Sequence, residues 1–256
     1  MADNLLAAEG IRKEFGGLVA VNDVDFFIPR GSIVGLIGPN GAGKTTFVDA
    51  LTGFVPTAEG AITYDGWRID RAPPHQRARR GLVRTFQSIE LFEDLTVREN
   101  VLAAAERSRW WSMLADTVAP RRGSTPGDVD WALALLGLDD CRDRLPSALS
   151  QGRRKLVGVA RALASRPKLL LLDEPAAGLD TGESRTLGRH LRDVLGHDIT
   201  VLLVDHDMGL VLGVCDTLWV LDYGRVIASG TPDEIRRNQD VIAAYLGGEA
   251  SPNGDR

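Results

Sequence analysis

At 256 residues, with 44% hydrophobic and 25% charged side chains, the chain is long enough to bury a full core and has the make-up of a soluble globular protein. Its net charge of -5 gives no electrostatic reason to expect nucleic acid, and no apolar stretch approaches the ~18 residues of a membrane span. The amino terminus lacks a signal-peptide layout, and two cysteines, Cys141 and Cys215, without metal-ligand spacing, read as buried structural thiols of a reduced compartment.

The first patterned stretch, 19–28, is rich in β-branched and aromatic residues, and Pro29-Arg30-Gly31 turns it into a second apolar run at 32–37. The spacing predicts an antiparallel hairpin flanking the core. Phe15, on the near side of that hairpin, offers a face that can stack on adenine, although an ordinary core phenylalanine satisfies the same pattern. The run at 32–37 leads into Gly38-Pro39-Asn40-Gly41-Ala42-Gly43-Lys44-Thr45, the spacing of a glycine-rich phosphate-binding loop. Thr46 opens a helical stretch through Thr52 that Gly53 closes, so the motif stands in its required strand, loop and helix context. The glycines let the backbone turn tightly and bring N–H groups, including those of Pro39's neighbours Asn40 and Ala42 and of Thr46, against phosphate oxygens. The positive end of the helix adds to that attraction. Lys44 is expected to reach the β- and γ-phosphates and Thr45 a magnesium ion. The loop alone does not separate kinases, GTPases and motor ATPases.

Residues 61–67 read as a hairpin with Asp65-Gly66 at its turn. A basic, proline-bearing stretch at 71–81 precedes a strand-like run through Arg84, Thr85, Phe86 and Gln87. Thr96 and Glu99 form a capping box that opens a helix through Val101, Leu102 and Ala105, while Val129, Leu133 and Leu136 suggest another before Gly137. Between them, 121–127 is turn-rich and reads as a loop. We read 90–150 as a helical subdomain inserted into a core made of 1–89 and 151–256, with 231–256 forming a helical tail. In the second half, 167–172 is apolar and ends in Asp173-Glu174, the arrangement of a parallel core strand whose carboxyl end faces phosphates. Asp173 suits the magnesium shell and Glu174 a water-activating base, although two acids can also merely end a strand. A further strand at 200–204 carries His206 to the same edge, as a γ-phosphate contact or as a structural histidine.

In order, the phosphate loop, Gln87 after Thr85-Phe86, Leu149-Ser150-Gln151-Gly152, Leu172-Asp173-Glu174-Pro175, Ala177-Gly178-Leu179-Asp180 and His206 resemble the ATP-binding cassette family over nearly the whole chain. That resemblance implies an α/β fold: a nucleotide-binding core of the phosphate-loop NTPase type with an antiparallel β flank and the inserted helical subdomain. It also implies ATP and Mg2+ as ligands, with Gln87 joining the catalytic and magnesium-contacting groups and linking them to the subdomain. Ser150 and Gly152 would contact the γ-phosphate of ATP on a second ATPase subunit, and Asp180 would couple the two sites. Apolar spacing at Leu156, Val159, Ala160 and Leu163 agrees, since it places 150–152 at the start of a helix. The signature departs from the family pattern at Gln151 and Arg153. The effect of the bulk at 151, crowding of the loop or none, stays open, and Arg153, Arg154 and Lys155 either attract phosphate or lie solvated.

The stretch from Arg84 through Leu91-Phe92, Leu95-Thr96-Val97 and Glu99-Asn100-Val101 is similar to the ATPase subunits of branched-chain amino acid importers. Gly230-Thr231-Pro232-Asp233-Glu234, a capping box with proline at the first helical position, and the ending Ala244-Tyr245-Leu246-Gly247 resemble the close of those subunits. Trp110-Trp111 fits the same subgroup or a plain subdomain core. The resemblance implies two permease chains, a second ATPase subunit and, indirectly, a solute-binding protein outside the membrane. It places this chain peripherally on the cytoplasmic face of the inner membrane. The cargo stays open between leucine-type amino acids, urea and short amides. A lipopolysaccharide-export ATPase is the nearest rival; a soluble mechanical ATPase usually carries a coiled coil or second cassette, and a kinase needs no Ser150–Gly152 contact.

Overall fold

The structure is a computed structural model that describes residues 3–85, 90–105 and 125–247. Phe86, Gln87, Trp110-Trp111, 121–124 and 248–256 lie outside the described residues. A six-stranded sheet contains β3 (Ile33–Ile37), β6 (Leu82–Arg84), β7 (Leu169–Asp173), β8 (Thr200–Val204), β9 (Thr217–Asp222) and β10 (Arg225–Gly230), in the order β10-β9-β3-β8-β7-β6. All neighbours in it are parallel except β9 and β10. Its central strands are unbroken apolar runs because both faces are covered. Ile33, Ile37, Leu170, Leu172, Val201 and Leu203 pack into one cluster with the helices, while Val34, Leu36, Leu169, Leu171, Leu202 and Val204 pack into another. The period of two sends alternate side chains to opposite sides.

The second cluster is capped by an antiparallel sheet of β1 (Asn4–Phe15), β2 (Leu18–Pro29), β4 (Glu59–Tyr64) and β5 (Trp67–Arg68), ordered β2-β1-β4-β5. Here the hairpin partner of β2 is β1 through Gly16-Gly17, not β3. The difference has a physical reason. β2 alternates between buried and open positions, as a one-sided sheet requires, whereas β3 is buried throughout and must join the doubly covered sheet. β1 escapes notice in the sequence because Gly10, at φ +61°, and the register shifts around it break its alternation. The Asp65-Gly66 turn between β4 and β5 forms as expected, with both residues at positive φ.

On the other face, α3 (Val97–Ala105), α4 (Pro126–Leu135) and α5 (Gln151–Leu163) pack against one another. Thr96 and Glu99 exchange the expected capping bonds, the Thr96 amide donating to Glu99 Oε2 at 2.8 Å. Pro126 and Gly127, read above as loop, are instead the first residues of α4, which Thr125 and Asp128 cap. Proline's fixed φ suits that first turn. The remaining helices are α1 (Lys44–Thr52), α2 (Pro74–Arg79), α6 (Thr181–Leu195), α7 (Met208–Val214), α8 (Pro232–Arg237) and α9 (Gln239–Gly247). Thr231 and Glu234 cap α8 with Pro232 at its first position. Cys141 and Cys215 are both buried and free, and burial pushes the Cys215 thiol up to about 12. Among the described residues, no helix is long and apolar enough to cross a membrane.

Among the described residues the largest fully buried side chain is Arg77, on α2, and it holds the far end of α1. Its guanidinium donates to the carbonyls of Ala50 and Leu51 at 2.8 and 2.7 Å, and to those of Ala72 and Asp70 at 2.8 and 3.1 Å. It therefore satisfies the Leu51 carbonyl at the helix end and adds a second donor to the Ala50 carbonyl, which also accepts from the Gly53 amide at 3.2 Å. Burial lowers its pKa to about 10, which leaves it charged at neutral pH. Replacement by methionine fills most of the volume but removes the guanidinium donors from all four carbonyls, of which Ala50 keeps the Gly53 amide. We expect Arg77→Met to lower the unfolding free energy in urea by about 3 kcal/mol; a loss below about 1 kcal/mol would contradict the bracing role.

Candidate functional site

The loop at the carboxyl end of β3 is shaped by steric limits on its glycines. A Cβ on Gly38 would strike the Leu221 carbonyl, and one on Gly43, at φ +100°, would strike that of Ala20. The Ala42 carbonyl accepts from the Gly224 amide at 2.9 Å, so the turn between β9 and β10 seats the loop from behind. α1 begins directly after Gly43 with no side chain capping it, which leaves first-turn N–H groups for a ligand. Thr45 is exposed at that start, and Thr46 follows it. Lys44 Nζ donates to the Gly38 and Pro39 carbonyls at 2.7 and 2.9 Å. Burial pulls the Lys44 pKa down, and the neighbouring charges of Glu174 and Asp173 oppose that shift.

The acids stand beside this loop at the end of β7, as the sequence predicts. Asp173 accepts from Arg84 at 2.7 Å, and its own amide faces Thr85 Oγ1 at 3.4 Å. Glu174 has φ +48°, a strained conformation for a non-glycine residue. Its backbone is clamped from both sides. The Glu174 amide donates to Val204 at 2.7 Å, and its carbonyl accepts from Ala177 N at 3.2 Å and Lys155 Nζ at 3.3 Å. Next door, Asp205 is buried and accepts from the amides of Ala176, His206 and Asp207 at 2.8, 2.8 and 2.9 Å. It ties the chain after the acids to His206, whose ring is 66% exposed.

A second group gathers at the starts of α5 and α6. Ser150 caps α5, accepting from Arg153 N at 3.3 Å, and its hydroxyl donates to Glu183 Oε1 at 3.3 Å. Gly152 is buried where a Cβ would strike the same carboxylate. Asp180 caps α6, accepting from the amides of Gly182 and Glu183 at 2.7 and 2.8 Å. Glu183 thus joins Ser150, Gly152 and Asp180 within one subunit. Gln151 is exposed, so its bulk points out to solvent. The three cations of the signature are neither free nor simply solvated. Arg153 donates twice to Asp140, at 2.9 and 2.8 Å, Arg154 pairs with Glu93, and Lys155 reaches Glu174. Phe15, at the tip of the β1–β2 hairpin, is 48% exposed and carries Lys13 Nζ 4.7 Å from its ring centroid, which removes the core alternative.

Sequence reasoning missed Arg84, Glu183 and Asp205 as parts of this arrangement, and it gave Lys155 a phosphate or solvent role where the structure has it on the Glu174 carbonyl. Only Asp205 had a signal, its position between a buried strand and His206.

The glycine cradle, the uncapped start of α1 and Lys44 fit a triphosphate. Thr45 and Asp173 are hard oxygen donors, which suits magnesium. Among the described residues no group of three or more His, Cys, Asp or Glu side chains could hold a metal alone. Magnesium typically takes one or two protein oxygens and completes its shell with phosphates and water, so this sparse donor set is the right kind.

Comparison with known proteins agrees with this geometry. Residues 21–177 match the family model described as ABC transporter, and 225–251 match one described as branched-chain amino acid ATP-binding cassette transporter. The chain is 42% identical over 254 residues to the high-affinity branched-chain amino acid transport ATP-binding protein LivG of Salmonella typhimurium, covering 96% of this chain and 99% of LivG. It is 35% identical to the lipopolysaccharide export system ATP-binding protein LptB of Haemophilus influenzae, covering 95% and 98%. The ADP conformation of MJ1267, an ATP-binding cassette of an ABC transporter, superimposes with a TM-score of 0.84 at 31% identity, over 95% of this chain and 99% of that one. The chain belongs to the ABC transporter family and is an ATP-binding, ATP-hydrolysing cassette subunit of it.

Proposed function

We propose that this protein is the ATPase subunit of an importer for branched-chain amino acids, driving solute through separate permease chains. The observation that carries the cargo reading is the match of residues 225–251 to a model specific to that class, alongside 42% identity to LivG. Two permease chains, a second ATPase subunit and an external solute-binding protein complete the assembly, with this chain peripheral on the cytoplasmic membrane face. Similarity to LptB supports a second reading, lipopolysaccharide export, at the lower identity of 35%.

In the mechanism we infer, Lys44 and the backbone N–H groups of the loop from Gly38 to Thr46 hold the phosphates, except at Pro39, which has none, and Ala42, whose amide donates to Pro39; Phe15 stacks on adenine. Thr45 and Asp173, with Gln87, would hold magnesium, which supplies positive charge against the phosphate oxygens when bound. Glu174 orients a water and takes its proton as the water oxygen attacks the γ-phosphorus and ADP leaves. His206 donates a hydrogen bond to the γ-phosphate. Ser150 and Gly152 present the start of α5 to ATP on the second subunit, where aligned N–H groups attract the γ-phosphate. Asp180 lies on the same face and couples the two sites. ATP thereby binds the closed dimer better than the open one, and hydrolysis removes that preference. The helical subdomain, 90–150, passes the change to the permease.

Three outcomes follow. Glu174→Gln should bind ATP and accumulate as a dimer in light scattering while turnover falls by about 10²- to 10⁴-fold; wild-type turnover would remove Glu174 from the role of base. Arg153→Gln should change ATP-driven dimerisation less than about twofold, because Asp140 already holds that guanidinium and exposed pairs contribute little. A loss comparable to Lys44→Ala would mean that Arg153 reads phosphate. Deleting the gene should abolish ATP-dependent leucine uptake, with restoration by the wild-type chain but not by Lys44→Ala; intact leucine uptake with defective lipopolysaccharide export would overturn the import reading.

A further inference from the structure

Two carboxylates from separate parts of the chain converge on one guanidinium beside the phosphate loop. Arg84 Nη1 donates to Asp49 Oδ1 at 2.5 Å, and Arg84 Nη2 donates to Asp173 Oδ2 at 2.7 Å. The Arg84 side chain is only 8% exposed, against 28% for Asp49 and 12% for Asp173. Arg84 ends β6, in parallel register with Leu171 of β7, so the backbone delivers it two residues short of the Asp173 carboxylate. Asp49 lies on α1, one turn after Thr45. Residues four apart occupy the same helix face, so the bridge clamps the Thr45 face of α1 to the end of β7.

Those two elements carry Thr45 and Asp173, two of the three residues assigned above to magnesium. A metal-binding carboxylate is commonly fixed by a hydrogen bond to its other oxygen, and outer-shell partners of this kind set metal affinity. Arg84 occupies Oδ2 of Asp173 and orients the carboxylate. Its planar fork is what allows one side chain to hold both acids at once, a geometry that a lysine ammonium on a flexible stem does not reproduce.

We propose that Arg84 is a positioning residue for the divalent cation, setting the distance and orientation between Thr45 and Asp173. The proposal rests on the reading of Asp173 as a magnesium-holding group. A purely structural brace would lower stability and nucleotide binding alike. A positioning role would selectively weaken the metal-dependent part of binding.

The test is equilibrium binding of a non-hydrolysable fluorescent ATP analogue to the full chain, titrated with Mg2+ and repeated in EDTA. In Arg84→Gln the apparent Mg2+ affinity should fall about 10- to 100-fold, the range for outer-shell partners, while nucleotide affinity in EDTA moves less than about threefold. Arg84→Lys should show a smaller loss in the same direction, and it carries the test if the glutamine variant fails to fold. Unchanged Mg2+ affinity in a folded Arg84 variant, or parallel losses with and without Mg2+, would overturn the proposal. Asp173→Ala is the control. If that variant keeps its full Mg2+ response, the reading of Asp173 fails; if it loses the response and the Arg84 variants do not, only the role of Arg84 fails.

Discussion

Covering both faces of the parallel sheet leaves its strand ends as the places where buried backbone meets solvent. Alternate residues of β3, β7 and β8 are committed to opposite apolar clusters, so none of their central side chains is free for chemistry. Reactive groups must follow the last buried residue. Lys44 comes after β3, Asp173 and Glu174 close β7, and His206 comes after β8. Parallel register then puts these groups at one edge, because Asp173 pairs with Val204 and Leu36 with the same residue from the other side. The site is a consequence of how the sheet is buried.

Holding that edge in a reactive shape requires backbone conformations that cost energy. A left-handed glutamate costs of order 1–3 kcal/mol and persists only where its surroundings over-determine it. Glu174 meets that condition through its bonds to Val204, Ala177 and Lys155, while buried Asp205 fixes the following turn to His206. On the far side, Glu183 performs a similar service for the starts of α5 and α6. The phosphate loop is held by backbone contacts instead, with Leu221 and Ala20 pressing where side chains would sit. Rigid backbone around the functional groups is what preorganised charge stabilisation requires.

Features written in consecutive residues were legible in the sequence. The phosphate loop, the Asp173-Glu174 strand end and the capping boxes at Thr96 and Thr231 each depend on neighbours within a few positions, and each is found where expected. β1 was obscured because Gly10 and its bulges interrupt the period of two, which also led β2 to be paired with the wrong strand. Contacts made across the fold were invisible for a different reason. Arg84 and Asp173 are 89 positions apart, Ser150 and Glu183 33, and no local pattern announces a partner at such distances. The signature cations show the limit from the other direction. Their charges suggested phosphate or solvent, and only the packing of α5 reveals Asp140 and Glu93 waiting for them.

On the function proposed above, this edge of the sheet powers import through separate membrane chains. The most direct measurement is to purify the tagged chain with ATP from detergent-solubilised cells and identify its companions by mass spectrometry. Polytopic permease chains should come with it, together with a solute-binding protein that binds leucine-type amino acids. Recovery of soluble partners only, or of outer-envelope export components, would contradict that function.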